Sequence, residues 1–220
     1  MFCGVDLAGL AKKYDLFVFD WDGTLSKSVR LLTQKFDPFW KYKMVKQGRL
    51  QPGKKIDQKT AERVLVRRRG SNIERRVLTP LADISLIFIK PKLYYDAKPV
   101  LDTLRRRRKK VALFTNGAAW RVAKELAYLD LLDYFDVIIS AQDLKALKPN
   151  PMGLEVTARA LKVRLSKVLY IGDTVDDVMM AKYAKAHSCA LSQGLDSGEM
   201  LRAAKPDHLF RSIEEFRKAL

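Results

Sequence analysis

Short, uninterrupted apolar segments recur along the chain and, from residue 96 onward, alternate with longer segments in which apolar residues have helical spacing. Apolar runs of this length, bounded by turn residues, are typical of strands buried on both faces of a parallel sheet. The predicted strands are 16–19, 111–114, 137–139, 168–171, 189–191 and 208–210. The predicted helices are 98–108, 118–129, 150–161, 177–186 and one from residue 213. This alternation predicts an α/β fold with a doubly wound (Rossmann-like) parallel sheet core.

A segment with a different pattern interrupts this alternation between the first and second predicted strands. Apolar residues have helical spacing over 28–47 and 57–69, and Thr79 followed by Pro80 is typical of a further helix start. Residues 84–89 fit a helix or a strand equally well, because a short apolar run has no decisive periodicity. We therefore predict a core of residues 1–26 and 96–220, with residues 27–95 inserted as a mostly α-helical cap.

Composition places the chain among globular proteins with a substantial core, at 220 residues and 48% hydrophobic content. The apolar runs are too short to span a bilayer, and no signal-like apolar stretch is found near the start of the sequence. Cys3 and Cys189 are too few and too far apart for a disulfide framework or a zinc site. These features predict a cytoplasmic location without membrane partners.

The basic charge is unevenly distributed. The formal net charge is +17, and residues 26–95 alone hold 18 Lys and Arg against 5 Asp and Glu. Such an excess favours anionic partners, including nucleic acid, although a solvated cationic surface is the simpler interpretation. The basic run 105–110 is interpreted as an exposed helix end and loop, where cations are favoured by the helix dipole.

Polar residues follow three of the predicted strands at the point where each strand ends. They are Asp20 and Asp22, then Thr115 and Asn116, then Asp173, Asp176 and Asp177, with Lys148 before a predicted helix. In a doubly wound sheet, ligands bind at the carboxyl ends of the strands. Clustered carboxylates favour a hard cation such as Mg²⁺, and a hydroxyl, backbone N–H groups and a lysine suit a phosphate. Taken singly, Thr115 and Asn116 are equally compatible with a helix start, and Lys148 with a surface position.

Four motifs in this order resemble the haloacid dehalogenase superfamily, specifically its phosphatases of the phosphoglycolate phosphatase type. The motifs are DWDGTL at 20–25, LFTNG at 113–117, LKPNP at 147–151 and GDTVDD at 172–177. The resemblance covers residues 15–26 and 96–220, and the predicted cap resembles the family only in its position and helicity. Lys27 departs from the acid that the family often has there, at the hinge to the cap.

The resemblance implies a role for each of these residues. Asp20 would be the nucleophile that forms an aspartyl-phosphate, and Asp22 the general acid and base. Thr115 and the backbone N–H of Asn116 would bind the phosphoryl oxygens, and Lys148 would neutralise negative charge. The implied Mg²⁺ ligands are Asp20, the carbonyl of Asp22, Asp173 and Asp177, whereas Asp176 is an extra acid that we expect not to bind the metal.

The resulting expectation is a Mg²⁺-dependent phosphatase acting on a small phosphomonoester of the phosphoglycolate, sugar phosphate or nucleotide type. An acid at position 22 favours phosphoryl transfer over dehalogenation, since the dehalogenases of the superfamily lack it. Three alternatives remain open: an enzyme acting on nucleic-acid ends through its basic cap, a phosphomutase, and a non-catalytic basic binding module. The sequence indicates neither the individual substrate nor the oligomeric state.

Overall fold

The strands form one six-stranded sheet in the computed structural model, which describes residues 9–27, 90–144 and 146–220. Their bounds are β1 Leu16–Phe19, β2 Lys110–Thr115, β3 Val137–Ser140, β4 Val168–Gly172, β5 His187–Leu191 and β6 His208–Phe210. Every neighbouring pair is parallel, and the strand order is β3-β2-β1-β4-β5-β6. The predicted doubly wound parallel sheet is therefore confirmed.

Helices connect the strands and cover the two faces of the sheet. Their bounds are α1 Leu10–Lys13, α2 Ala97–Arg106, α3 Ala119–Tyr128, α4 Ala141–Leu144, α5 Met152–Ala160, α6 Val175–Tyr183, α7 Gly198–Ala203 and α8 Ile213–Lys218. Two 3₁₀ turns, Leu132–Tyr134 and Leu165–Lys167, precede β3 and β4. No helix among these described residues is long and apolar enough to cross a membrane.

Strand β1 is buried on both of its faces, which explains its continuous apolar sequence. Phe17 and Phe19 belong to a core cluster with residues of α2 and α8, and the ring of Phe19 meets that of Phe216 edge to face at 6.3 Å. Leu16 and Val18 belong to a second cluster with residues of α5 and α6. Because successive side chains of a strand point to opposite faces, one apolar run supplies both cores.

The winding of the chain reverses at β1. Strands β2 and β3 lie on one side of β1, and β4, β5 and β6 lie on the other. The crevice at the carboxyl ends of β1, β2 and β4 is therefore the topological switch point, where open α/β sheets bind their ligands.

The chain leaves and rejoins the core through two segments that lie side by side, directly after Asp22. The Lys27 N–H donates to the Lys92 carbonyl at 2.9 Å, and the Tyr94 N–H donates to the Leu25 carbonyl at 3.0 Å. This pairing is compatible with an insertion between the two segments. The predicted helical cap at 27–95 falls almost entirely on residues 28–89, which lie outside the described residues, and it remains a prediction.

Some predicted boundaries are wrong by a few residues. Helix α6 begins at Val175 and not at Asp177, because Thr174 caps it: the Asp177 N–H donates to Thr174 Oγ1 at 3.3 Å, and the Thr174 N–H donates to Asp177 Oδ2 at 2.9 Å. This reciprocal pair is a capping box. Strand β5 begins two residues earlier than predicted, at His187. Helices α1, α4 and α7 were not predicted, since four to six residues are too few to display a helical period.

Candidate active site

Three buried carboxylates meet at the switch point. Asp20 follows β1, Asp173 follows β4, and Asp177 lies in the first turn of α6. Each residue offers an oxygen within 4.8 Å of the oxygens offered by the other two. The parallel order of β1 and β4 brings Asp20 and Asp173 together although they are far apart in sequence, because the carboxyl ends of neighbouring parallel strands share one edge.

Lys148 lies between two of these carboxylates. Its Nζ is 2.6 Å from Asp20 Oδ1 and 2.8 Å from Asp177 Oδ1, and its side chain is 4% exposed. The backbone N–H of Lys148 donates to Asn116 Oδ1 at 3.1 Å, which ties the loop before α5 to the end of β2. Burial alone would lower the pKa of Lys148, but Asp177 and Asp20 raise it above its usual value, so the ammonium stays charged. The surface position that the sequence left open for Lys148 is thereby excluded.

Three carboxylates of the cluster share the charge of one ammonium. Burial raises the pKa of Asp20 to about 7, against the opposing effect of Lys148 and with contributions from Asp177 and Asp22. Burial together with Asp20 and Asp177 also raises the pKa of Asp173 well above its usual value. Burial acts on Asp177 in the same direction, but Lys148 and the hydrogen bonds from Thr174 outweigh it and lower that pKa. Lys148 thus leaves the negative charge of three carboxylates only partly balanced.

These residues fit a hard divalent cation. Three carboxylates in contact range supply the oxygen ligands that Mg²⁺ prefers, and a cation beside them would offset the charge that Lys148 leaves unbalanced. Asp173 is oriented by Thr24 Oγ1, which donates to its Oδ1 at 2.9 Å, and by the Leu195 N–H, which donates to its Oδ2 at 2.7 Å. Each oxygen keeps a lone pair for a further partner.

Two glycines allow the backbone to approach Asp173 closely. A Cβ atom added to Gly23 or to Gly194 would overlap the Asp173 carboxylate. Gly23 also has φ +84°, a conformation that glycine adopts without the steric cost of a side chain. Gly23 of the DGT sequence after β1 is therefore required by the packing around Asp173 as well as by the turn itself.

Thr115 and Asp22 face one another across Gly117. A Cβ atom at Gly117 would lie 3.2 Å from Thr115 Oγ1 and 3.1 Å from Asp22 Oδ2, so the glycine keeps open the space between them. Thr115 Oγ1 accepts the Gly117 N–H at 2.9 Å, which leaves its hydroxyl hydrogen for another acceptor. The structure thus places the hydroxyl at the end of β2 beside the second acid after β1, as the positions at the strand ends predict.

A network around Asp22 was not predicted from the sequence. Arg121, in α3, donates to both oxygens of Asp22, with Nη1 at 3.0 Å from Oδ1. Arg121 Nη1 also donates to Glu125 Oε1 at 2.9 Å, and Glu125 Oε2 accepts the indole N–H of Trp21 at 2.5 Å. The one signal in the sequence is the spacing of Arg121 and Glu125, which is typical of an ion pair on a helix surface and does not indicate Asp22.

Asp176 differs from the other acids of its motif. Its side chain is exposed and does not belong to the group of three carboxylates. Partial shielding from solvent and the neighbouring charges of Asp177 and Asp196 raise its pKa. This position agrees with the expectation that Asp176 does not bind the metal, which remains a prediction.

A doubly wound sheet with clustered acids at its switch point is found in a large class of hydrolases, and the chain belongs to one family of that class. The family model of the haloacid dehalogenase-like hydrolases matches residues 14–185. Among curated proteins, phosphoglycolate phosphatase of Escherichia coli K12 is 30% identical over 128 residues, which are 58% of this chain and 51% of that protein. The chain thus matches about half the length of this relative.

Solved structures agree on the fold. A haloacid dehalogenase (HAD) family hydrolase from Deinococcus radiodurans, solved with bound phosphate and sodium, superposes with a TM-score of 0.65 at 18% identity, covering 94% of this chain and 95% of that one. A hydrolase from Pseudomonas syringae gives 0.62 at 21% identity, covering 90% and 94%. At such identities the likeness concerns the fold and not the activity.

Proposed function

We propose that the protein is a Mg²⁺-dependent phosphatase that hydrolyses a small phosphomonoester through an aspartyl-phosphate on Asp20. The observation that carries this proposal is the contact of Lys148 with Asp20 and Asp177, with Asp173 beside them and Asp22 two residues further on. A nucleophilic carboxylate, a balancing lysine and further acids for a cation form a complete set for phosphoryl transfer.

In the first step, an oxygen of Asp20 attacks phosphorus and the bond from phosphorus to the alcohol oxygen breaks. Asp22, in its acid form, donates a proton to the departing oxygen, and Thr115 donates a hydrogen bond to a phosphoryl oxygen. In the second step, water attacks phosphorus and loses a proton to Asp22. This releases inorganic phosphate and restores the Asp20 carboxylate.

Two groups offset the repulsion between Asp20 and an anionic substrate. Lys148 already contacts Asp20 and remains charged, so it balances the nucleophile and the approaching phosphate together. A Mg²⁺ ion held by Asp20, Asp173 and Asp177, with the Asp22 carbonyl, would polarise a phosphoryl oxygen. Both groups act in a buried site, where charges interact more strongly than in water.

Arg121 holds Asp22 in place while it acts. Both oxygens of Asp22 accept hydrogen bonds from the guanidinium, and each keeps a lone pair that can meet a leaving oxygen. Arg121 is a positioning residue in this proposal, because it acts through Asp22.

The substrate is proposed by class only. The curated relative is named phosphoglycolate phosphatase, which supports a small phosphorylated acid, while a sugar phosphate or a nucleotide satisfies the same site chemistry. We expect the predicted cap to select among these substrates. We also expect Lys27 to form contacts at the hinge to the cap. The cytoplasmic location predicted from the sequence remains a prediction.

The proposal is tested by hydrolysis of p-nitrophenyl phosphate with Mg²⁺ and with EDTA. We expect turnover in Mg²⁺ that EDTA abolishes and that Asp20→Asn lacks. Asp130→Asn is the matched control, because it makes the same chemical change at an exposed residue after α3 and should leave turnover unchanged.

If pure, folded protein hydrolyses neither this ester nor a panel of natural phosphomonoesters, the binding-module alternative becomes the better one. Transfer of phosphate between two positions of a sugar, without release of inorganic phosphate, would instead identify a phosphomutase. Action on nucleic-acid ends through the basic cap concerns residues outside those described and remains an untested alternative.

A further inference from the structure

A groove lined mainly by cations lies at the edge of the sheet opposite the acidic site. Its walls are the segment after α2, the segment after α5 and the residue before β1, and its volume is about 380 Å³. We define the basic groove by the residues that line it: Asp15, Arg108, Lys109, Lys110, Lys162, Val163, Arg164 and Lys167. The sequence interpretation of 105–110 as a simple exposed helix end is thus incomplete, because two further segments face the same concavity.

The backbone around the basic groove is anchored to the sheet. The Asp15 N–H donates to the Lys167 carbonyl at 2.9 Å, and the Lys110 N–H donates to the Asp15 carbonyl at 3.2 Å. The Lys110 ammonium donates to the Leu161 carbonyl at 2.6 Å, which joins the loop after α2 to the loop after α5. The cations are therefore presented from a fixed concave surface.

Positive charge in the basic groove is poorly balanced. Asp15 is the single carboxylate among the lining residues, and it lies 3.7 Å from Lys109. Within the part of the chain that the structure describes, Arg108, Lys162 and Arg164 form no ion pair, and all three are exposed. Because like charges on a concave surface reinforce one another's field, the groove attracts polyanions.

The helix dipole accounts for only part of this arrangement. Arg108 and Lys162 have left-handed backbone conformations just after α2 and α5, with φ of 55° and 53°. Lys185 and Lys205 take the equivalent positions after α6 and α7, with φ of 57° and 52°. A cation at any helix end is favoured by the dipole. The dipole does not explain why four further cations lie around Arg108 and Lys162, namely Lys109, Lys110, Arg164 and Lys167.

The composition of the lining indicates which polyanion fits. The described residues that line the groove include no aromatic side chain, and Val163 is the single apolar one. Base stacking needs aromatic platforms, and membrane insertion needs an apolar face, so neither is supported here. Arginine and lysine without such partners are typical of contacts to a phosphate backbone.

We propose that the basic groove binds the phosphate backbone of double-stranded nucleic acid, without sequence preference. The groove lies at the amino ends of β1, β2 and β4, whereas the acidic site lies at their carboxyl ends. Strands of four to six residues separate the two by roughly 13–20 Å at about 3.3 Å per residue. Both sites can therefore be occupied at once, and this proposal does not rest on the phosphatase activity.

The test is the salt dependence of binding to a labelled duplex DNA oligonucleotide that has no terminal phosphate, so that it offers no phosphomonoester to the acidic site. The groove variant combines Arg108→Gln, Lys162→Gln and Arg164→Gln. Each phosphate contact to a DNA duplex contributes roughly 0.9 to the slope of log affinity against log salt. Three lost contacts should reduce the slope by about 2.7 and weaken binding roughly 500-fold at 0.1 M salt.

The matched control combines Lys185→Gln, Arg202→Gln and Lys205→Gln. It removes the same charge from exposed positions, two of which again have positive φ. We expect its slope to stay within a few tenths of the wild-type slope. An equal loss in both triple variants would mean that binding depends on diffuse charge, and an unchanged slope in the groove variant would also overturn the proposal.

Two further measurements distinguish binding in the basic groove from an effect of misfolding and from binding at the acidic site. The conservative variant Arg108→Lys with Arg164→Lys keeps the charge and should keep the slope, which shows that binding depends on charge at these positions. The groove variant should hydrolyse p-nitrophenyl phosphate like the wild type, which shows that it is folded, and Asp20→Asn should bind the oligonucleotide like the wild type. Groove-dependent binding to anionic lipid vesicles without binding to the oligonucleotide would refute the nucleic-acid assignment.

Discussion

Replacing Lys148 with methionine removes the ammonium that contacts Asp20 and Asp177 while keeping a side chain of similar length. Removing one partner of a buried ion pair costs about 3–5 kcal/mol, because the remaining charge has lost its partner but not its burial. In a chain of 220 residues this corresponds to a fall in Tm of about 6–20 °C. Turnover should fall by at least about 100-fold, as it does when a group that stabilises transition-state charge is removed.

The cost of Lys148→Met should depend on pH. The pKa of Asp20 is already about 7, and loss of the lysine raises it further, so Asp20 takes up a proton on acidification and the unbalanced charge decreases. The fall in Tm, measured by thermal unfolding in EDTA, should therefore be smaller at about pH 5.5 than at about pH 7.5. Lys12→Met, at an exposed position of α1, is the control. A variant that melts within 1 °C of the wild type at the higher pH would refute the reasoning.

Two further predictions concern the charge balance and Arg121. Because folding raises the pKa of Asp20 from 3.8 to about 7, the folded protein binds this proton more tightly than the unfolded chain does. The resulting stabilisation of the folded state is complete below about pH 4 and is lost as the pH rises through 7. The Tm in EDTA should thus decline over that range, and saturating Mg²⁺ should reduce the decline, whereas identical curves would contradict a metal at these acids. Arg121→Gln should lower kcat about 10- to 100-fold, because Asp22 is then misplaced. Arg121→Lys should have an intermediate kcat, and the control Arg159→Gln, at an exposed position, should keep the wild-type kcat. Equal kcat values for all three variants would exclude a positioning role for Arg121.

The strands and the acidic site show how much of the structure can be predicted from the local sequence pattern. Each strand is a short apolar run because both faces of the sheet are covered, so burial is readable from the residues themselves. Once the strands are parallel, the polar residues that follow them must share one edge, which is how Asp20, Thr115 and Asp173 were identified as neighbours. Their positions in the structure agree with that expectation, while their catalytic roles remain predictions.

Contacts that depend on the arrangement of distant segments were not readable. Arg121 and Asp22 are 99 positions apart, and the pattern of α3 indicates only the pair of Arg121 with Glu125. The Leu195 N–H reaches Asp173 from a loop that has no motif. The basic groove needs three segments that are separate in sequence, and each of them taken alone is an ordinary basic loop.

The sequence by itself determined the α/β class, the parallel strands and the set of polar residues at their carboxyl ends. Hydrophobic period is a local property, and the alternation of strands with helices makes neighbouring strands parallel, so their carboxyl ends share one edge. The tertiary structure alone decided the strand order, the clamp of Arg121 on Asp22 and the convergence of cations at the opposite edge. Those features depend on which helices pack beside which strands, and packing is set by the summed burial of many residues and not by any one segment.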